Sequence, residues 1–141
     1  MMQGKFLEEL SVGQSAQLVR KVGEADIVAF AQVTGDTNPV HLDADYAATT
    51  SFGERIAHGM LSAGYISAVL GTTLPGPGAI YLSQTLKFKR PVKIGDEVTA
   101  VVTISEINEA KAQVTLATVC KVGGKAVVDG EAVVMVPRKA A

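Results

Sequence analysis

From Ile80 to Val136 the apolar side chains recur at every second position, and no other feature of this chain limits its fold so strongly. Ile80, Leu82, Leu86 and Phe88 share one face, as do Val98, Ala100, Val102 and Ile104. Val114, Leu116 and Cys120 follow, then Val128, Ala132, Val134 and Val136. Short separators stand between these runs, at 91–96, 108–111 and Gly123-Gly124. Long strands joined by short turns predict an antiparallel meander with one buried face. Just before it, His58 to Leu70 has the length of a helix and no charged side chain beyond His58. A helix that is apolar or small on every side belongs in a core. The small residues Gly59, Ser62, Ala63, Gly64, Ser67 and Ala68 let a sheet approach it closely. The expectation is an α+β domain, an antiparallel sheet wrapped around a central apolar helix.

The first half carries shorter signals. Gln14 to Val22 alternates weakly, as a short strand does. Glu24 to Thr34 has Ile27, Phe30, Ala31 and Thr34 at helical spacing, with acidic residues in the first turn and Gly35 at the end. Gly35 to Asp43 reads GDTNPVHLD, and Asn38-Pro39 predicts an ordered loop. Asp43 is placed to cap a short helix through Tyr46 and Ala48. No linker or repeat divides the 141 residues, so a single domain over 1–141 is expected.

Composition narrows the function classes. Hydrophobic residues make up 48% and charged ones 19%, which suits a packed globular core. The net charge is −1 and no basic surface dominates, so nucleic acid is not an expected partner. Cys120 is the only cysteine; it cannot form an intramolecular disulfide, and Cys/His metal spacing is absent. A reducing cytoplasm fits. MMQGKFLEEL has no apolar run of the kind a signal peptide needs. The uncharged stretch from Gly59 to Leu86 is interrupted by serines, prolines and glycines, so no membrane span of roughly 20 apolar residues is expected.

Residues able to do chemistry gather in two places. GDTNPVHLD holds the carboxylate of Asp36, the amide of Asn38 and the imidazole of His41 within six residues. An acid and a histidine held together can activate water. The same residues also read as a turn cap, a backbone-bonding amide and a satisfied histidine. In IAHGML, Gly59 stands where the apolar helix begins. Free N–H groups there can stabilise an oxyanion, and glycine lets a carbonyl approach. Packing alone would also explain that glycine, with His58 as a cap. Ser67 lies within the same helix, and its hydroxyl can equally bond the preceding turn. Lys87, Lys89, Arg90 and Lys93 form a local basic cluster, read either as a solvated strand face or as a hold for nucleotide phosphates. Cys120 is most simply a core residue.

The run Phe30 to Ala47, FAQVTGDTNPVHLDADYA, resembles the hydratase 2 motif of the MaoC-like family. It supplies the aromatic Phe30, aliphatic Val33 and small Thr34. Gly35, Asp36, Asn38, Pro39, Val40 and His41 follow, with the small Ala47 six places on. AHGML and the later IGDEV turn also look like this family, and the resemblance spans nearly the whole chain. Its subgroup of short, stand-alone (R)-specific enoyl-CoA hydratases, which feed polyhydroxyalkanoate synthesis, is the most similar. The resemblance implies a hotdog fold, a homodimer, and an enoyl-CoA substrate. It assigns Asp36 and His41 to catalysis, the Gly59 N–H to the thioester oxyanion, and Ser67 to supporting the acid, with Asn38 in the same loop. It implies no metal and no other cofactor.

On this reading Asp36 and His41 hold one water that adds to C3 of a trans-2-enoyl-CoA, giving an (R)-3-hydroxyacyl-CoA. An acyl tunnel is expected beside the apolar helix, its depth set by Leu70 and by Val134. Three rivals share the fold: an acyl-CoA thioesterase, a 3-hydroxyacyl-thioester dehydratase, and a non-catalytic acyl-thioester binding domain. The absence of an acid from Gly59 to Leu70 argues against the thioesterase. The intact Asp36–His41 pair argues against the binding domain.

Overall fold

A computed structural model describes residues 3–140. After a 3-10 turn at Leu7–Glu9 come β1 (Ser15–Lys21), α1 (Glu24–Thr34), α2 (Pro39–Leu42), α3 (Ala44–Ala48) and α4 (Gly59–Thr72). The C-terminal half is β2 (Ile80–Gln84), β3 (Lys87–Phe88), β4 (Glu97–Asn108), β5 (Gln113–Val122) and β6 (Lys125–Met135). These strands form one six-stranded antiparallel sheet in the order β1-β4-β5-β6-β2, with β3 also pairing β6. The fold is α+β and single-domain, as expected.

The sheet curls around α4, which packs against β1, β4, β5 and β6. Ile66, Val69 and Leu70 of the helix meet the buried faces of β4, β5 and β6 in one hydrophobic core. The predicted alternation in β4 is observed, with Val98, Ala100, Val102 and Ile104 all buried. In β5 the buried face is Val114, Leu116, Thr118 and Cys120. The hydroxyl of Thr118 is satisfied there by Gln84 Nε2 at 2.9 Å. Curvature comes from bulges, between Ile104 and Glu106 and between Cys120 and Lys121. At Gly130 a side chain is impossible, because a Cβ would lie 1.8 Å from the carbonyl oxygen of Thr85. None of the helices among the described residues is long and apolar enough to cross a membrane.

Two expectations change. The segment from Gly35 to Asp43 is not all loop, since Pro39–Leu42 forms the short helix α2. Proline's fixed φ suits the first helical position, where its missing N–H is not needed. Asn38 completes the start, its Oδ1 accepting from Val40 N–H at 3.1 Å. The second change is at β2 and β3. Their apolar face is not covered within the chain: Ile80 is 57% exposed, and Leu82 and Phe88 are also exposed. β2 is the outer strand of the sheet, so no further strand of this chain lies beyond it.

Candidate active site

Two helix ends and one loop bring the site together. α1 ends at Gly35, whose φ of 80° is left-handed and whose N–H returns to Ala31 O at 2.9 Å. The chain turns there into Asp36. Its N–H donates to Thr34 Oγ1 at 3.1 Å, and its Oδ1 accepts from Asn38 N–H at 3.3 Å. Asp36 remains exposed, with a carboxylate free to take further bonds. α2 then carries His41 inward, where the residue is buried.

His41 is held from two sides. Its Nδ1 lies 2.7 Å from the carbonyl oxygen of Ile56. A carbonyl can only accept, so Nδ1 carries the proton and Nε2 presents a lone pair. Its own carbonyl accepts from Arg55 Nε at 2.7 Å. Arg55 reaches back to Glu24 at the start of α1 through an ion pair of 2.7 Å. Loop 49–58 therefore clamps α1 and α2 together around His41. The loop is fixed in turn by Ile56 N–H to Val40 O at 3.3 Å and Ala57 N–H to Val92 O at 2.7 Å.

His58 is the N-terminal cap residue of α4 and is only 2% exposed. Its Nε2 donates to the main-chain carbonyl of Asp36 at 3.0 Å. Its ring stacks on His41, with centroids 3.9 Å apart and planes 30° from parallel, and meets Phe30 at 4.6 Å on a tilt. One donor or acceptor atom from each of Asp36, His41 and His58 lies within 4.8 Å of the others. A carboxylate and two imidazoles match the composition of a metal site. Each ring already spends one nitrogen on a main-chain carbonyl, His41 Nδ1 on Ile56 and His58 Nε2 on Asp36, so only His41 Nε2 and His58 Nδ1 are left to bind an ion.

Gly59 opens α4, and its N–H and that of Met60 have no acceptor within the helix. A cavity of about 360 Å³ lies over this end, with His41, Gly59, Met60, Phe52, Phe88 and Arg90 in its wall. Glycine also suits the packing here: a Cβ would stand 2.6 Å from two ring carbons of Phe88, which would have to shift.

Other predicted residues are not brought to this centre. Ser67 is exposed and lies in a neighbouring groove of about 520 Å³ between α4 and β2, beside Phe30, Tyr81 and Leu82. Met60 lines both spaces. Among the described residues no hydrogen bond joins Ser67 to Asp36. Leu70 and Val134 are 2% and 1% exposed, inside the core, and line neither space. Leu70 is eleven residues from Gly59, about 16 Å along the helix at 1.5 Å per residue. Of the basic cluster, Lys89 and Lys93 pair with Asp129 and Glu54, and Lys89 and Arg90 line the cavity. Cys120 is buried among apolar groups, which push its thiol up to about 12. Sequence reasoning missed Arg55 and the full part played by His58. Their partners are 14 and 22 residues away, so only the basic and aromatic character of the RIAHG run hinted at them.

Comparison with known proteins gives this geometry its relatives. Residues 8–127 match the MaoC like domain. The chain is 58% identical to an (R)-specific enoyl-CoA hydratase of Rhodospirillum rubrum, over 95% of this chain and 93% of that protein. It superposes on R-hydratase PhaJ1 from Pseudomonas aeruginosa with a TM-score of 0.92 and 52% identity, over 98% of this chain and 89% of the other. The (R)-hydratase from Aeromonas caviae involved in PHA biosynthesis gives a TM-score of 0.90 and 50% identity, over 92% and 99%. A domain match over most of the chain, relatives above 50% identity and a shared hotdog fold place this chain in the MaoC-like family.

Proposed function

We propose that this chain is an (R)-specific enoyl-CoA hydratase, a hydro-lyase that adds water to trans-2-enoyl-CoA and supplies (R)-3-hydroxyacyl-CoA to polyhydroxyalkanoate synthesis. The observation that carries the reading is the Asp36–His41 pair: one polar atom of each lies within 4.8 Å of the other, and His41 lines a cavity that reaches the free end of α4. Two atoms hydrogen-bonded to the same water stand about 4.5 Å apart, and this limit is compatible with one bridging water.

The chemistry follows from the hydrogen bonds. The thioester makes C3 electrophilic, and its carbonyl oxygen points to Gly59 N–H at the positive end of α4. Asp36 accepts one O–H of the water and orients it. His41 Nε2, bare because Nδ1–H is spent on Ile56, takes the other proton as the water oxygen bonds to C3. The π pair moves towards the thioester oxygen and returns to C2, which receives the proton from His41. Both additions come from one side, which makes the addition syn. The reverse sequence dehydrates an (R)-3-hydroxyacyl thioester at the same site.

Arg90 in the cavity wall supports a phosphate-bearing CoA carrier. The uncovered apolar strand β2 supports a homodimer, since an exposed edge with Ile80 and Leu82 is otherwise a pairing hazard. A cytoplasmic setting suits the single buried thiol of Cys120. Ser67, in the groove beside β2, is proposed to act on the acyl side of the site, with Asn38 acting by shaping the Asp36 turn.

The test is loss of enoyl absorbance with trans-2-butenoyl-CoA and trans-2-octenoyl-CoA, the product being offered to (R)- and (S)-specific dehydrogenases. Rapid loss with only the (R) product oxidised is expected. Release of free CoA thiol without hydration would establish a thioesterase instead.

A further inference from the structure

We propose that His58 is a positioning residue for the hydration reaction, one side chain that sets both Asp36 and His41. The inference rests on the hydratase reading above. Three observations carry it. The Nε2–H of His58 donates to the Asp36 carbonyl at 3.0 Å and so fixes the turn that aims the carboxylate. Its ring lies 3.9 Å from that of His41 and, among the described residues, is the one aromatic ring stacked against His41. Its other nitrogen, Nδ1, is buried with no hydrogen-bond partner.

That last feature is costly for a mere helix cap. A side chain kept only to start α4 would be a serine, threonine, aspartate or asparagine bonded to the helix N–H groups, and His58 makes no such bond. An unpaired buried acceptor is retained where the rest of the ring does something that a smaller cap cannot. Here the ring spans the gap between Phe30, His41 and the Asp36 backbone. It works in a single tautomer. The carbonyl of Asp36 requires the proton on Nε2, and a proton on Nδ1 would face nothing that accepts it. The two histidines thus carry opposite tautomers, Nδ1–H in His41 and Nε2–H in His58, and these are the only histidines in the chain.

The experiment pairs kinetics with nitrogen-15 NMR of the imidazoles. His58→Phe keeps the buried ring against Phe30 and His41 and removes the donor. Hydration of trans-2-butenoyl-CoA is expected to lose about 100-fold in kcat, the scale of a small misplacement of reacting groups, with little change in KM. His58→Gln restores an N–H at the same reach and should recover much of that loss. In the wild type the spectrum should show one Nδ1–H and one Nε2–H ring, and the signal remaining in His58→Phe is that of His41. Wild-type kcat in His58→Phe, a His58→Gln no faster than His58→Phe, or a His58 ring protonated on Nδ1 would each overturn the proposal. If His58→Phe does not fold, the glutamine variant and the wild-type spectrum still decide it. Failure of the wild type to hydrate the substrate would refute the hydratase reading instead, and the tautomer spectrum needs no turnover.

Discussion

Replacing Gly59 with alanine separates two reasons for a glycine at the start of α4. The added Cβ would stand 2.6 Å from Cδ1 and Cε1 of Phe88, against 3.4–4 Å for ordinary contact, so the ring must retreat by roughly an ångström. Phe88 is 55% exposed and sits on a strand of two residues, which lets it turn outward. Such overpacking costs about 1–3 kcal/mol, partly offset by the better helix propensity of alanine, up to about 1 kcal/mol. A modest fall in stability, about 1–2 kcal/mol, is therefore expected. On the proposed role of Gly59 as oxyanion donor, the methyl group would also obstruct the approach of a thioester oxygen to its N–H. Losing one oxyanion donor lowers kcat by about 10²–10³-fold, or about 3–4 kcal/mol. The activity effect should exceed the stability effect. Thermal melts by circular dichroism and hydration rates on trans-2-butenoyl-CoA measure the two. Gly59→Ala combined with Phe88→Ala removes the clash and should restore stability without restoring activity, Phe88→Ala alone being the control. Near-normal kcat/KM in Gly59→Ala, or full recovery of activity in the double variant, would show that the glycine serves only the ring of Phe88.

Asp36→Asn and His41→Gln should fold normally and lose about 10²–10⁴-fold in kcat, since each removes one proton-handling group; substantial turnover in either removes the mechanism. Leu70→Ala should destabilise the fold by about 2–5 kcal/mol in urea titration because the side chain is sealed in the core. A gain in the octenoyl-to-butenoyl rate ratio in that variant would instead support the tunnel role predicted for Leu70. Cys120, its thiol pushed up to about 12 by burial, carries almost no thiolate at pH 8, so a thiol reagent should react only as fast as the protein opens. Rapid labelling of the native protein would show that the β5–α4 packing opens readily and does not seal the thiol.

Much of the site was legible in one dimension because its local geometry is local in sequence. The Asp36 turn, the Asn38 cap and the Gly35 terminus each use bonds that span four residues or fewer. The buried face of β4 follows from periodicity, the bounds of α1 from its acidic first turn and Gly35, and the core position of α4 from its lack of charge on every side. Pro39 misled only by being read as a breaker where it begins a helix.

What tertiary structure decided lies in contacts that no period encodes. The tautomer of His41 depends on the Ile56 carbonyl fifteen residues away, and the aim of Asp36 depends on His58 twenty-two residues away. Leu70 and Val134 look like any apolar residues in their runs, and only the packing of helix on sheet closes them off from the cavity. Ile80 and Leu82 alternate as a buried strand should, yet β2 is the sheet's outer strand and they stay open. The sequence by itself determined which elements form and which groups could react, because propensity, capping and alternation act over a few residues. The folded chain alone determined which of those groups meet, which face water and which nitrogen holds the proton, because burial and hydrogen-bond pairing are properties of residues that are distant along the chain and adjacent in space.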